Sequence, residues 1–206
     1  MLIGIVADIH DAVSPLKRAL SEFETYGVER VVSLGDAFDS HRVDEPSTEV
    51  AHLLNQAEAV GVWGNHDVGL SHGVTDQIRE EADPSLLKFA SRLQAELVLN
   101  GYHFSHMEPW KDARLLEDLW RFDGVPDTVD KAKRCFGAVS ERVLFMGHFH
   151  TWLAMREDKG VEWRGTDPIL LSAPHRYLVV VGAVVEGWCA TFDSSTAELI
   201  PIRCAA

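Results

Sequence analysis

Short apolar runs recur along the chain, and each ends on polar residues of a similar kind. Leu2 to Ala7, Arg30 to Leu34, Ala59 to Trp63, Tyr102 to Ser105 and Val143 to Met146 are nearly continuous in apolar side chains. That pattern predicts strands covered on both faces, because a half-exposed strand would alternate with period two. Between them the apolar residues recur at helical spacing. Ser14-Pro15 predicts a helix start, with serine as cap and proline in the first turn, and Leu16, Leu20 and Phe23 form one face before Gly27 ends it. Ser47 to Glu58 predicts a second helix, burying Val50, Leu53 and Leu54. Residues 69 to 95 are helical in character, with Asp83-Pro84 as another cap and start. Asn100-Gly101 joins Glu96 to Leu99 with Tyr102 to Ser105 in a two-residue hairpin. Residues 107 to 140 predict a pair of helices that cap the site or cover the sheet. From Val143 the pattern turns to strands: Ile169 to Leu171, Tyr177 to Val185, Trp188 to Phe192 and Ala197 to Ile202.

The order of elements predicts an α/β fold. Strand-helix-strand units come first, and a mostly antiparallel second sheet packs against them. With no repeat, low-complexity tract or linker-like break, residues 1 to 206 read as one domain in which 107 to 140 is a helical cap or insert.

Composition narrows the function. The chain has 206 residues, 46% hydrophobic and 25% charged, and a formal charge of −13 from 32 acidic and 19 basic side chains. A long nucleic acid or an anionic membrane needs a basic footprint, so neither is an expected partner. A small anionic ligand is still compatible, because a metal ion bound at a site would add positive charge locally. Cys135, Cys189 and Cys204 are odd in number and have no metal-binding spacing, which predicts reduced thiols in a cytoplasmic protein. Asp8 and His10 interrupt the first apolar run too early for a signal peptide, and no run approaches the ~20 apolar residues that span a bilayer.

The polar ends of the five runs carry the chemistry. They are Asp8-Ile9-His10, Gly35-Asp36, Gly64-Asn65-His66-Asp67, Ser105-His106 and Gly147-His148-Phe149-His150. Taken singly, each is an ordinary turn or cap; together they gather the residue types that bind borderline divalent metals. In this order the set resembles the calcineurin-like metallophosphoesterase family, whose blocks read D-x-H, G-D, G-N-H-[DE], a lone His and G-H-x-H. The Gly-Asn-His-Asp form is most like the family's small prokaryotic phosphodiesterases.

That resemblance implies a two-sheet β-sandwich flanked by helices in αββα layers. It implies two divalent metal ions and hydrolysis of phosphoesters by a metal-bridging hydroxide. Transferred to matching positions, Asp8, His10 and His150 hold the first ion, Asn65, His106 and His148 the second, and Asp36 bridges them. The mixed oxygen and nitrogen set suits manganese, and also Fe, Zn, Co or Ni. His106 is preferred to His103 because it ends its apolar run. His148 and His150 alternate along the chain, so they serve different ions or sit on a bent loop.

His66 is the candidate to protonate the leaving oxygen, with Asp67 orienting it; Asp39 matches a common acidic position of the family. His41 and Arg42 are the candidate substrate contacts. Trp110 and Trp152 follow ligand loops and are candidates to stack on a base or aromatic leaving group. Departures from the family lie beside the ligands: Asp11-Ala12 replaces Gly-Asn, Met107 replaces glycine, and Val180 to Ala183 replaces Asn-Pro-Gly-Ser. The alternatives are a phosphomonoesterase or dinucleoside-polyphosphate hydrolase of the phosphoprotein-phosphatase branch, and a non-catalytic scaffold on the same fold. The segment Gly35 to His41 lacks the G-D-x-V-D-R-G of that branch.

Overall fold

The computed structural model describes residues 1–39 and 44–204. The elements are β1 (Leu2–Val6), α1 (Val13–Tyr26), β2 (Arg30–Ser33), α2 (Glu45–Gln56), β3 (Val60–Gly61), α3 (Asp76–Glu81), α4 (Pro84–Ala90), β4 (Glu96–Leu99) and β5 (Tyr102–Ser105). They continue with α5 (Leu116–Leu119), α6 (Val129–Ala138), β6 (Val143–Met146), β7 (Leu153–Arg156), β8 (Ile169–Leu170), β9 (Tyr177–Val180), β10 (Trp188–Asp193) and β11 (Glu198–Arg203).

Two mixed sheets stack between helices. The first has the order β3-β2-β1-β10-β11-β8 and the second β4-β5-β6-β9-β7. The side-chain alternation of each central strand explains the continuous apolar runs. Ile3 and Ile5 of β1 join Phe104, Phe145, Val179 and Phe192 in the core between the sheets. Val6 points the other way, into the core shared with Leu16 and Phe23 of α1 and with Val50 and Leu54 of α2. In β6, Val143 and Phe145 face the inter-sheet core. Leu144 and Met146 face Ala132, Cys135 and Phe136 of α6. Every face of these strands is covered, giving the αββα layering with two buried sheet surfaces to each strand.

The sheet topology corrects the expectation of a mostly antiparallel second sheet. In that sheet β5, β6 and β9 are parallel, flanked by antiparallel β4 and β7. The C-terminal strands instead complete the first sheet, β10 pairing antiparallel with β1, and β11 with β10. Strand β1 is buried on both faces and has β2 on one edge only, so its other edge needs a hydrogen-bonded partner. The chain supplies that partner from its far end.

Local signals hold in part. Gly27 closes α1 in the left-handed conformation, and the Asp83 side chain caps α4 by accepting from Ser85 N at 2.7 Å. Asn100 and Gly101 both have positive φ, 52° and 78°, as a tight hairpin turn between β4 and β5 requires. By contrast α1 starts at Val13 with Ala12 at its cap, so Ser14 lies within the first turn. The stretch 69 to 95 forms only α3 and α4. Strand β7 was not anticipated. Helix α6 covers the outer face of the second sheet, whereas the segment around α5 approaches the strand ends described next. Among the described residues, no helix is long and apolar enough to cross a membrane.

Candidate metal centre

β1, β2 and β3 run parallel, as do β5 and β6, so all five apolar runs deliver their polar ends to one side of the stacked sheets. That is the crevice where α/β sheets place ligands. Cross-links between the sheets fix the ends there. His106 Nδ1 lies 2.8 Å from Leu34 O, and His148 N donates to the Asp8 carboxylate at 3.0 Å.

Asp8, His10, Asp36, His148 and His150 all have left-handed backbone, with φ of 51°, 46°, 50°, 71° and 47°. Such conformations cost a non-glycine residue free energy, and they persist where the surroundings over-determine them. His148 and His150 thus sit on a bent loop rather than an extended one. Two glycines let the loops close on each other. A Cβ at Gly35 would lie 2.6 Å from His106 Nδ1, and one at Gly64 2.6 Å from Asp36 N. Neither neighbour can withdraw.

Among the described residues three donor groups result; His10, Asp39 and His66 form one, and the other two hold the residues matched to the family's ligands. In one of these two, Asp36, His106 and His148 bring a ligand atom each within 4.8 Å of one another. A carbonyl only accepts, so the Leu34 contact places the His106 proton on Nδ1 and leaves the Nε2 lone pair facing inward. Around that atom stand His148 Nδ1 at 3.0 Å, Asn65 Oδ1 at 3.1 Å and Asp36 Oδ2 at 3.3 Å. Electron-pair donors converge on one point, which suits a cation. In the other group, Asp8, His10 and His150 converge likewise. His10 Nε2 and His150 Nε2 are 3.2 Å apart, and Asp8 Oδ1 is 3.5 Å from the latter.

Asp36 faces both groups. Its Oδ1 is held by the backbone N–H of His66 at 2.8 Å. Its Oδ2 is left 3.3 Å from His106 Nε2 and 3.8 Å from His10 Nε2.

The charge states follow from burial and neighbours. Burial pushes the Asp36 carboxyl up, but His106, the His66 N–H and His10 outweigh it and hold the group far below the usual carboxylate range. Burial disfavours charge on His106, but Asp36 beside it outweighs that and lifts its pKa to about 9. His148 is pushed down to about 3 by burial and then by His106. Burial also lowers His10, whereas the Asp8 contact raises His150. A cation in this pocket replaces the proton shared among these groups, as metal binding to imidazoles requires.

Asp67 does not orient His66. Its Oδ1 accepts from Ala37 N at 2.9 Å and Phe38 N at 3.2 Å, and its Oδ2 accepts from Gly64 N at 2.8 Å. A fully buried carboxylate satisfied by three backbone donors fastens the loop after β2 to the loop after β3. The carboxylate facing His66 is Asp39, whose Oδ1 is 3.6 Å from His66 Nδ1 and 3.9 Å from His10 Nδ1. Asp39 therefore backs both imidazoles, and its own N–H donates to Asp11 Oδ2 at 2.9 Å. Asp67→Asn can no longer accept from all three donors. It is expected to cost about 1–3 kcal/mol of stability, the scale of a buried polar group left unsatisfied. Denaturant unfolding checks this; unchanged stability with lower turnover would instead place Asp67 behind His66.

His103 lies within the run, buried between Glu96 and Glu141 and away from the donor groups. His41 and Arg42 fall outside the described residues. Trp152 is in the inter-sheet core against Trp163 and Trp188, and Trp110 packs under Arg134, so neither is available to stack on a substrate. Aromatic residues at the centre include Trp120, 5.2 Å from the His66 ring, and Phe149 and Phe122, 5.1 and 5.9 Å from His148. The sequence signal for Trp120 and Phe122 was weak: residues 107 to 140 read as a pair of helices, yet α5 makes a single turn and, of Leu115, Leu116, Leu119 and Trp120, only Leu119 is buried.

A family model described as the calcineurin-like phosphoesterase superfamily domain matches residues 1–185. Among solved structures, a metallophosphoesterase from Sphaerobacter thermophilus is similar, with TM-score 0.76 and 21% identity over 100% of this chain and 88% of that one. A protein described as a novel archaeal phosphodiesterase superposes with TM-score 0.55 and 15% identity over 98% of this chain and 99% of its own. A phosphoesterase from E. coli does so with TM-score 0.50 and 16% identity over the whole of both chains. No curated protein sequence matches significantly.

Proposed function

The chain belongs to the calcineurin-like phosphoesterase superfamily, and on that premise we propose that it hydrolyses small phosphodiesters with two divalent metal ions held where the sheets meet. The observation that carries this reading is the Asp36 carboxylate, whose one free oxygen faces both donor groups. Asp8, His10 and His150 would hold one ion, Asn65, His106 and His148 the other, and Asp36 both. Bound there, such ions supply Lewis acidity to phosphoryl oxygens and make water acidic enough to ionise near neutral pH. Manganese, Fe, Zn, Co and Ni are all compatible with these donors.

The remaining chemistry belongs to His66. Its ring stands edge-on to His10 at 4.8 Å, at the mouth of the centre, with Asp39 behind Nδ1. In that position His66 donates a proton to the departing oxygen, and Asp39 orients the ring. The phosphodiester preference rests on two features. The Gly64-Asn65-His66-Asp67 loop resembles the phosphodiesterase form of the motif, and a chain of charge −13 offers no basic track for a polyanion.

A substrate panel on metal-reconstituted protein tests this. Higher kcat/KM is expected for bis-nitrophenyl phosphate and a cyclic nucleotide than for nitrophenyl phosphate, a dinucleoside polyphosphate or a phosphopeptide. Preference for the monoester or the phosphopeptide would favour the phosphatase branch, and no turnover with both ions bound would favour a scaffold.

A further inference from the structure

Four of the large hydrophobic side chains left exposed, Leu115, Leu116, Trp120 and Phe122, fall in one short segment. Trp120 and Phe122 are 52% and 63% exposed, yet each touches an imidazole of the centre. Trp120 lies against His66 on the side assigned to the leaving group. Phe122 lies against His148 and, at 5.8 Å, against Phe149.

The backbone carrying these rings is held in place. The residue between them, Arg121, has its carbonyl bound by Nζ of Lys111, a buried lysine that also pairs with buried Glu108 at 2.9 Å. Trp120 N donates to Leu116 O at 3.1 Å, Asp112 N donates to Asp118 Oδ2 at 2.9 Å, and Leu119 is buried beneath. A buried ion pair is costly to assemble and contributes little net stability, so its use here is to fix this segment. Exposed rings on a fixed backbone bind with little loss of conformational entropy.

Resting on the phosphoesterase reading above, we propose that Trp120 and Phe122 form the leaving-group subsite and select phosphoesters whose alcohol half is planar and aromatic, a nucleoside or an aryl group. A flat ring entering past His66 would stack on Trp120, while its phosphate would reach the ions that Asp8, His10, His150, Asp36, Asn65, His106 and His148 would hold. This selection needs no basic residue, in keeping with the acidic chain. A second copy of the chain seated on the same rings would close the site instead.

The test is calorimetric binding of phenyl phosphate, adenosine 5′-monophosphate, ribose 5-phosphate and propyl phosphate to the manganese-loaded protein. The same titrations are made with Trp120→Ala, Trp120→Phe and Trp120→Ala/Phe122→Ala. The ring-bearing ligands are expected to bind about tenfold or more tighter than the ringless ones, the scale of one stacked base or ring. Trp120→Ala should shrink that gap, Trp120→Phe restore most of it, and the double variant abolish it at unchanged metal content. A gap for both ring ligands, or for one alone, supports the subsite and identifies nucleoside or aryl as the source. No gap in the unsubstituted protein, a gap that survives in the double variant, or a dimer that these substitutions merely dissociate would overturn it. Turnover of bis-nitrophenyl phosphate, followed in parallel, separates the two readings. Turnover without a gap sinks the subsite alone, and its absence in every metal form sinks the phosphoesterase reading.

Discussion

Asp36→Asn is expected to lower occupancy at both metal positions and reduce turnover by roughly 10³-fold or more, beyond the loss of a single charge-stabilising donor. Asp36 Oδ2 lies within 4 Å of both His106 Nε2 and His10 Nε2, at 3.3 and 3.8 Å. Its Oδ1 is already engaged with His66 N, so the free oxygen cannot be replaced by rotating the group. The amide also removes the negative charge that opposes repulsion between two cations. His106→Ala, by contrast, should empty mainly the position shared with Asn65 and His148. Elemental analysis separates the two variants, and two tightly held metals in Asp36→Asn would remove the bridging assignment.

His66→Gln is expected to keep both metals and lower turnover by roughly 10²-fold or more, the scale of a lost general acid. The reason for metal retention is geometric. What Asp36 takes from residue 66 is its backbone N–H, which glutamine supplies equally well. The imidazole itself points to the mouth, between Asp39 and Trp120. The loss should be smaller for nitrophenyl than for alkyl esters, because a good leaving group needs little protonation. Equal losses for both would mean that His66 stabilises charge on the phosphoryl oxygens instead.

The strand tips were legible because a strand buried on both faces cannot hide its polar end. Leu2 to Ala7 admits no polar residue until Asp8, and the runs before Asn65 and His148 are as clean, whereas Ser33 interrupts the run before Asp36 and His103 and Ser105 the run before His106. Pairing across the chain was not legible. Nothing in Trp188 to Phe192 says that it pairs with Leu2 to Val6, about 190 residues earlier, as well as with its neighbour Glu198 to Arg203. Asp67 misled for a different reason. Adjacent in sequence to His66, it turns inward to three backbone donors, a demand set by loops that only the folded chain brings together. Trp120 and Phe122 were obscured by helical spacing, since α5 makes a single turn and leaves the rings outside it.

The most direct test of a two-ion centre bridged by Asp36 is a titration of metal-free protein with manganese, following bound metal and bis-nitrophenyl phosphate hydrolysis together. The account predicts that hydrolysis rises to a plateau as the second ion per chain binds, and that Asp36→Asn shows neither the second ion nor the plateau. Full hydrolysis with one ion or none, or an Asp36→Asn variant that matches the unsubstituted protein, would contradict it.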